Sequence, residues 1–137
     1  MTDLTPAPPS TDATVTKTSP WSVADTVSRI EQVLAAEGIK LFAVIDHSGE
    51  ARAAGLELRD TKVVIFGNPT AGTQVMDAAP LAALDLPLKV LIWADAGQTR
   101  VSYAPPATLA ARYGLRAELA GRLAGVEIVV AAALAGN

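Results

Sequence analysis

Residues Val63–Trp93, VVIFGNPTAGTQVMDAAPLAALDLPLKVLIW, decide how this chain folds. Two apolar runs, Lys62–Phe66 and Leu86–Ala94, have the length and β-branched content of strands. Between them, Gly67, Asn68, Pro69, Thr70, Ala71, Gly72 and Thr73 form a loop that leads into a helix from about Ala71 to Ala79. Pro80 interrupts that helix, because proline lacks the N–H and its ring clashes with the preceding turn. Pro87 stands at the start of the next strand, where a missing donor is tolerated. The unit reads strand, loop, helix, strand.

The pattern continues in both directions. Upstream, Ile39–Ile45 is apolar on both parities apart from Lys40, which predicts a strand covered on both faces. Asp46 and His47 close it, and a short helix runs through about Ala54 to a stop at Gly55. Before it, Val23, Val27, Ile30 and Leu34 recur at helical spacing within Ser22–Glu37. Ser22 is the expected N-cap there, with Asp25 three residues on, and Gly38 the expected left-handed end. Thr14–Thr18 is an edge-strand candidate.

Downstream, Asp95-Ala96-Gly97 is a tight turn that folds Gln98–Tyr103 back on Leu88–Ala94 as a hairpin. Pro105 or Pro106 opens a helix that Gly114 ends. Leu119, Leu123, Val126 and Val130 then share one face over Leu115–Leu134. The expected class is α+β, a single compact domain with a mixed β-sheet, a C-terminal β-hairpin and packed helices. Residues 1–12, rich in Pro, Thr, Ser and Asp, read as a flexible tail, and residues 13–137 as the one domain.

Composition excludes several function classes. The chain has 137 residues, half of them apolar, enough for one core but short for two domains. Its net charge is −3 with no basic stripe, so a nucleic-acid partner has no electrostatic footprint. There is no cysteine, hence no disulfide, thiol nucleophile or zinc–cysteine site, which fits the cytoplasm. The N-terminus lacks the basic and apolar regions of a secretory signal. No apolar run approaches the ~18 residues of a membrane span, and Val126–Leu134 is interrupted by Glu127.

The central loop invites comparison with a phosphate cradle. Gly67 and Gly72 have the G-x-x-x-x-G separation, and Thr73 follows, but the lysine that would neutralise phosphate is missing and Pro69 removes an amide. Two readings stay open: a structural turn in which Asn68 caps the helix, or a helix N-terminus that also offers amides to a small anion. His47 is the only histidine. It could serve as general acid or base oriented by Asp46 or Asp85, or simply cap the following helix. With Asp46, Glu50 or Glu57 it could in principle hold a metal, but such spacing is ordinary surface composition, and no metal site or cofactor is expected. Asp85 lies in the apolar run ALDLPLK and needs a partner or solvent. Lys89 stands about 13 Å away along a straight strand, too far to pair directly. Asp85 would then cap a turn, or accept from His47 or Asn68 where the strand ends converge. Met76 and Tyr103 read as pocket lining or core.

The order "IDH", "GLEL", "IFGNP", "G-T-x-x-M", "ALDLPLK" and a hairpin ending in "SY" resembles the family known as domain of unknown function 302. The likeness runs from about Trp21 to Leu134. It implies a compact α+β fold and a homodimer, and brings no established enzymatic activity. The residues that match its pattern are His47, Phe66, Gly67, Asn68, Pro69, Met76, Asp85, Leu86, Pro87 and Lys89. The chain departs at Asp60, where many members have proline. The resulting expectation is a pocket at the strand ends for a small molecule or anion. Its ligand-binding residues would be Gly67, Asn68, Thr70, Gly72, Thr73, Met76 and Lys89, with His47 and Asp85 as the catalytic candidates. The alternatives are an enzyme using His47, or a non-catalytic dimeric interaction protein.

Overall fold

The computed structural model describes residues 13–136, so the segment read as a tail lies outside the described residues. Along the chain run β1 (Val15–Ser19), α1 (Val23–Glu37), β2 (Lys40–Asp46), α2 (His47–Ala53), β3 (Thr61–Gly67) and α3 (Pro69–Ala78). A 3-10 segment, Pro80–Asp85, leads to β4 (Leu88–Asp95), β5 (Gln98–Tyr103), α4 (Pro106–Tyr113), α5 (Ala117–Gly121) and α6 (Gly125–Leu134). The α+β class and the single domain hold.

The strands form one sheet in the order β1-β5-β4-β3-β2, with every neighbouring pair antiparallel. The expected mixed sheet is thereby corrected. The β2–β3 and β3–β4 connections each leave and re-enter at the same end of the sheet. Their length would have allowed a crossover to a parallel neighbour, but their path does not use it. α1 does cross, carrying the chain from β1 at one edge to β2 at the other. The predicted hairpin is present, with Asp95 opposite Gln98 and positive φ at Ala96 and Gly97.

One sheet face carries the core. Val64 and Phe66 of β3, Val90 and Ile92 of β4 and Val101 of β5 are wholly buried, at the period of two that a covered face requires. Against them lie Val23, Val27, Ile30 and Leu34 of α1 and Val126, Val129, Val130 and Ala133 of α6. Each of these Val, Leu, Ile and Phe side chains contributes roughly 1.5–3 kcal/mol of burial. Ser22 Oγ accepts from the Asp25 amide at 3.0 Å, and Gly38 takes φ 66°, so α1 begins and ends where its sequence places it. Arg29 stacks on Trp21, 3.6 Å from the ring centroid, and donates to the carbonyls of Ala133 and Ala135 at 2.8 and 3.0 Å. It thereby caps the C-terminus of α6 and fastens it to α1.

Two further expectations change. The stretch Leu115–Leu134 is two helices, broken between Gly121 and Gly125, although Leu119, Leu123, Val126 and Val130 are all buried. β2 is not covered on both faces. It is the sheet edge, and Leu41, Phe42, Val44 and Ile45 are 38–44% exposed. An apolar run on both parities is the same pattern whether its cover is a helix layer or something outside this chain.

Candidate functional site

β3 ends at Gly67, and Asn68 turns the chain into α3. Asn68 Oδ1 accepts from the Thr70 amide at 2.9 Å and from that of Ala71 at 3.5 Å, while the Gly72 amide donates to the Asn68 carbonyl at 2.9 Å. Pro69, at the first helical position, has no N–H to offer. The first-turn donors are therefore engaged within the loop, and the asparagine cap leaves no cradle of free amides there for an anion.

Beside this turn lies a cavity of about 270 Å³. Gly67, Asn68, Gly72, Thr73 and Met76 form one side of it, and Leu86, Pro87 and Leu88 another. Phe42 of β2 and Arg122 and Leu123, between α5 and α6, complete the lining. The glycines explain part of the space. A Cβ on Gly67 would sit 3.5 Å from Pro87 Cβ and 3.8 Å from Phe42, and one on Gly72 3.8 Å from the Met76 methyl. A methyl fits in ordinary contact at either position, and anything longer would occupy the cavity. Arg122 is the one charged residue in the lining among the described residues. Its side chain is 41% exposed and its guanidinium reaches Glu118 at only 4.0 Å, an i,i+4 pair of little energetic weight.

The other expected site residues divide. Thr70 is exposed and lies outside the cavity lining. Asp85 ends the 3-10 segment and accepts from the Tyr113 hydroxyl and, at 2.6 Å, from Arg112 Nη1. Its partners are thus two α4 residues rather than Lys89, His47 or Asn68. The Tyr113 hydrogen bond, aided by Arg112 and opposed by desolvation, holds the Asp85 carboxyl below the usual aspartate range. The same bond pushes the Tyr113 phenol up. Lys89 Nζ donates to the Pro87 carbonyl at 3.2 Å. Asp85 and Lys89 line a separate hollow with Leu88 and Arg112, next to the cavity but not part of it.

His47 lies elsewhere. Asp46 pairs with Lys62, whereas Gly67 pairs with Lys40, so His47 and Gly67 sit at opposite ends of the β2–β3 ladder, separated by about 17 Å of strand. Asp46 Oδ1 accepts from Ser48 Oγ at 2.7 Å and the Gly49 amide at 2.9 Å, which makes it the N-cap of α2. The Ser48 bond, then the Gly49 amide, lowers its pKa. No hydrogen bond or ion pair joins His47 to a carboxylate among the described residues, nor do three His, Asp or Glu side chains gather there as a metal site. The structure therefore brings Gly67, Asn68, Gly72, Thr73 and Met76 together, sets Asp85 and Lys89 beside them, and leaves His47 apart.

Phe42, Arg122 and Leu123 are cavity residues that the local pattern did not single out. The one available signal was Arg122 itself, a charge next to the core position Leu123.

No helix among the described residues is long and apolar enough to cross a membrane. Two curated relatives, each called fluoride-specific ion channel FluC 1, come from Brucella suis biovar 1 and Brucella abortus biovar 1. Both are 39% identical over 102 residues, which is 74% of this chain but 40% and 38% of their own lengths. The chain thus spans about two fifths of the relatives it matches. The fold is also that of a solved structure, an uncharacterized conserved DUF302 protein from Bacillus stearothermophilus. It superposes with a TM-score of 0.74 at 21% identity, covering 88% of this chain and 94% of that one. The sequence pattern described as domain of unknown function DUF302 matches residues 15–132, which takes in the whole sheet and the cavity lining, and the chain belongs to that family.

Proposed function

We propose that this domain binds a small, mainly apolar molecule with one anionic group in the cavity beside α3. The observation that carries the reading is convergence: residues from β2, the β3–α3 turn, the start of β4 and the α5–α6 junction line a single hollow. Its volume of about 270 Å³ lies just under the usual range for ligand pockets, so the occupant is small. The walls are aliphatic, with Met76 and Phe42 as adaptable surfaces. Arg122 is the group to pair with an anion, and Asn68, its oxygen committed to the cap, keeps an amide nitrogen as a donor. Lys89 adds positive charge from the neighbouring hollow.

The enzymatic alternative rests on His47, which stands on exposed surface with no carboxylate hydrogen-bonded to it among the described residues, so the binding reading is favoured. The likeness to fluoride channels covers about two fifths of their length, and the binding reading takes nothing about conduction from it. The working assembly we infer is a homodimer, supported by the uncovered apolar edge of β2. The cysteine-free sequence supports a reducing compartment such as the cytoplasm.

Octanoate is a suitable probe. Titrated into ¹⁵N-labelled protein, it is expected to shift the amides of Gly67, Thr73 and Leu123. Gly72→Leu, which fills the cavity, is expected to abolish those shifts, and His47→Ala to leave them unchanged. Shifts confined to the His47 end of the sheet, or none with octanoate, would sink the proposal.

A further inference from the structure

The two edges of the sheet are unlike. β1 presents Thr16, Lys17 and Thr18, polar and exposed, the usual guard against strand addition. β2 presents Leu41, Phe42, Val44 and Ile45, each more than a third exposed, with no proline and with its charges only at the ends. Its hydrogen-bonding edge away from β3 is unpaired among the described residues. The two end charges are opposite in sign: Lys40 begins the strand and Asp46 finishes it. Two antiparallel copies of such a strand set each Lys40 toward the other's Asp46 and lay apolar side chains against apolar ones. An edge of this kind is complementary to itself under a two-fold axis.

Phe42 links that edge to the cavity. The register slips between Leu41 and Ala43, so Phe42 is the bulged residue, without a partner on β3. Its ring packs near Gly67 and lines the cavity, yet 44% of the residue is exposed on the free edge. Bulges commonly re-aim a side chain in this way. A strand laid along β2 would cover the outer part of this cavity wall.

We infer that a second copy of this chain pairs antiparallel along β2, and that this pairing closes the cavity, so that ligand binding and dimerisation are coupled. The closure rests on the binding reading above, whereas the β2 pairing stands without it. If the ligand binds the dimer better than the monomer, it must tighten the dimer by the same factor.

The test uses the full 137-residue chain, sedimentation velocity over a dilution series with and without octanoate, and calorimetric titration with octanoate. The wild type is expected to sediment as a dimer whose dissociation constant falls at least threefold with octanoate. Val44→Lys is expected to give a monomer with an unchanged circular dichroism spectrum and at least tenfold weaker octanoate binding. Lys40→Glu, a change at an exposed position, is expected to weaken the dimer several-fold at low salt and less at high salt. Thr18→Glu on β1 is expected to leave the dimer intact. A monomeric wild type, or β2 variants that stay dimeric, would overturn the pairing. A monomeric Val44→Lys that binds octanoate as tightly as wild type would overturn the closure and spare the pocket. A β2-dependent dimer with no octanoate binding at all would reject the pocket reading and the closure with it, leaving the pairing established.

Discussion

Asn68 is both the end of a strand and the start of a helix, and its side chain is committed to the second task. Its oxygen satisfies first-turn donors of α3 that would otherwise face solvent or a ligand. Asn68→Ala is therefore expected to cost about 1 kcal/mol of stability, read from the urea midpoint, as for other N-cap losses. Asp85 acts at the same scale. Its carboxyl is held below the ordinary aspartate value by Tyr113 and Arg112. The charged form is thus favoured in the fold, and the stability it confers is present above the unfolded pKa of about 3.9 and lost as pH falls through the lowered value. Asp85→Asn is expected to flatten the decline in melting temperature below about pH 4, leaving the residual slope that Asp46 contributes. For Tyr113 the sign reverses. Its raised pKa stabilises the fold below about pH 10, and that contribution disappears as pH rises through the shifted value. Tyr113→Phe should remove this alkaline loss.

At the scale of elements, α1 carries the most weight, because it is the piece that spans the sheet. Ile30 is wholly buried between the strands and α6. Ile30→Ala is expected to destabilise the protein by about 2–5 kcal/mol, measured by chemical denaturation, through lost burial and the cavity left behind. α1 was legible because its signals agree: apolar spacing, a serine cap and a terminal glycine. The C-terminal helices were less so. Leu119, Leu123, Val126 and Val130 do share the interior, but a single periodic face is also what two short helices produce when both lie on the same core. The glycines at 121 and 125 mark where the break falls.

At the scale of the whole molecule, strand direction and strand position control the site. With every pair antiparallel, β2 and β3 run in opposite senses, so the residue after β2, His47, lies far from the residue after β3, Asn68. A parallel pair would have put both at the same end. The edge position of β2 leaves Phe42 in contact with the cavity on one side and with solvent on the other. The cavity itself depends on long-range closure: Arg122 and Leu123 reach it from more than fifty residues along the chain from Gly67.

The sequence by itself determined the features set within a turn or a strand of the residue concerned. These are the helix caps at Ser22 and Asn68, the left-handed glycines, the hairpin at Asp95–Gly97, and the apolar runs that become β3 and β4. Local sterics and hydrogen bonding suffice for each. Only the tertiary structure decided the sense of the strands, the exposed edge at β2, the separation of His47 from the loop and the pairing of Asp85 with α4. These depend on which distant segments close on one another, and apolar side chains drive that closure without direction, so neither periodicity nor spacing encodes its outcome.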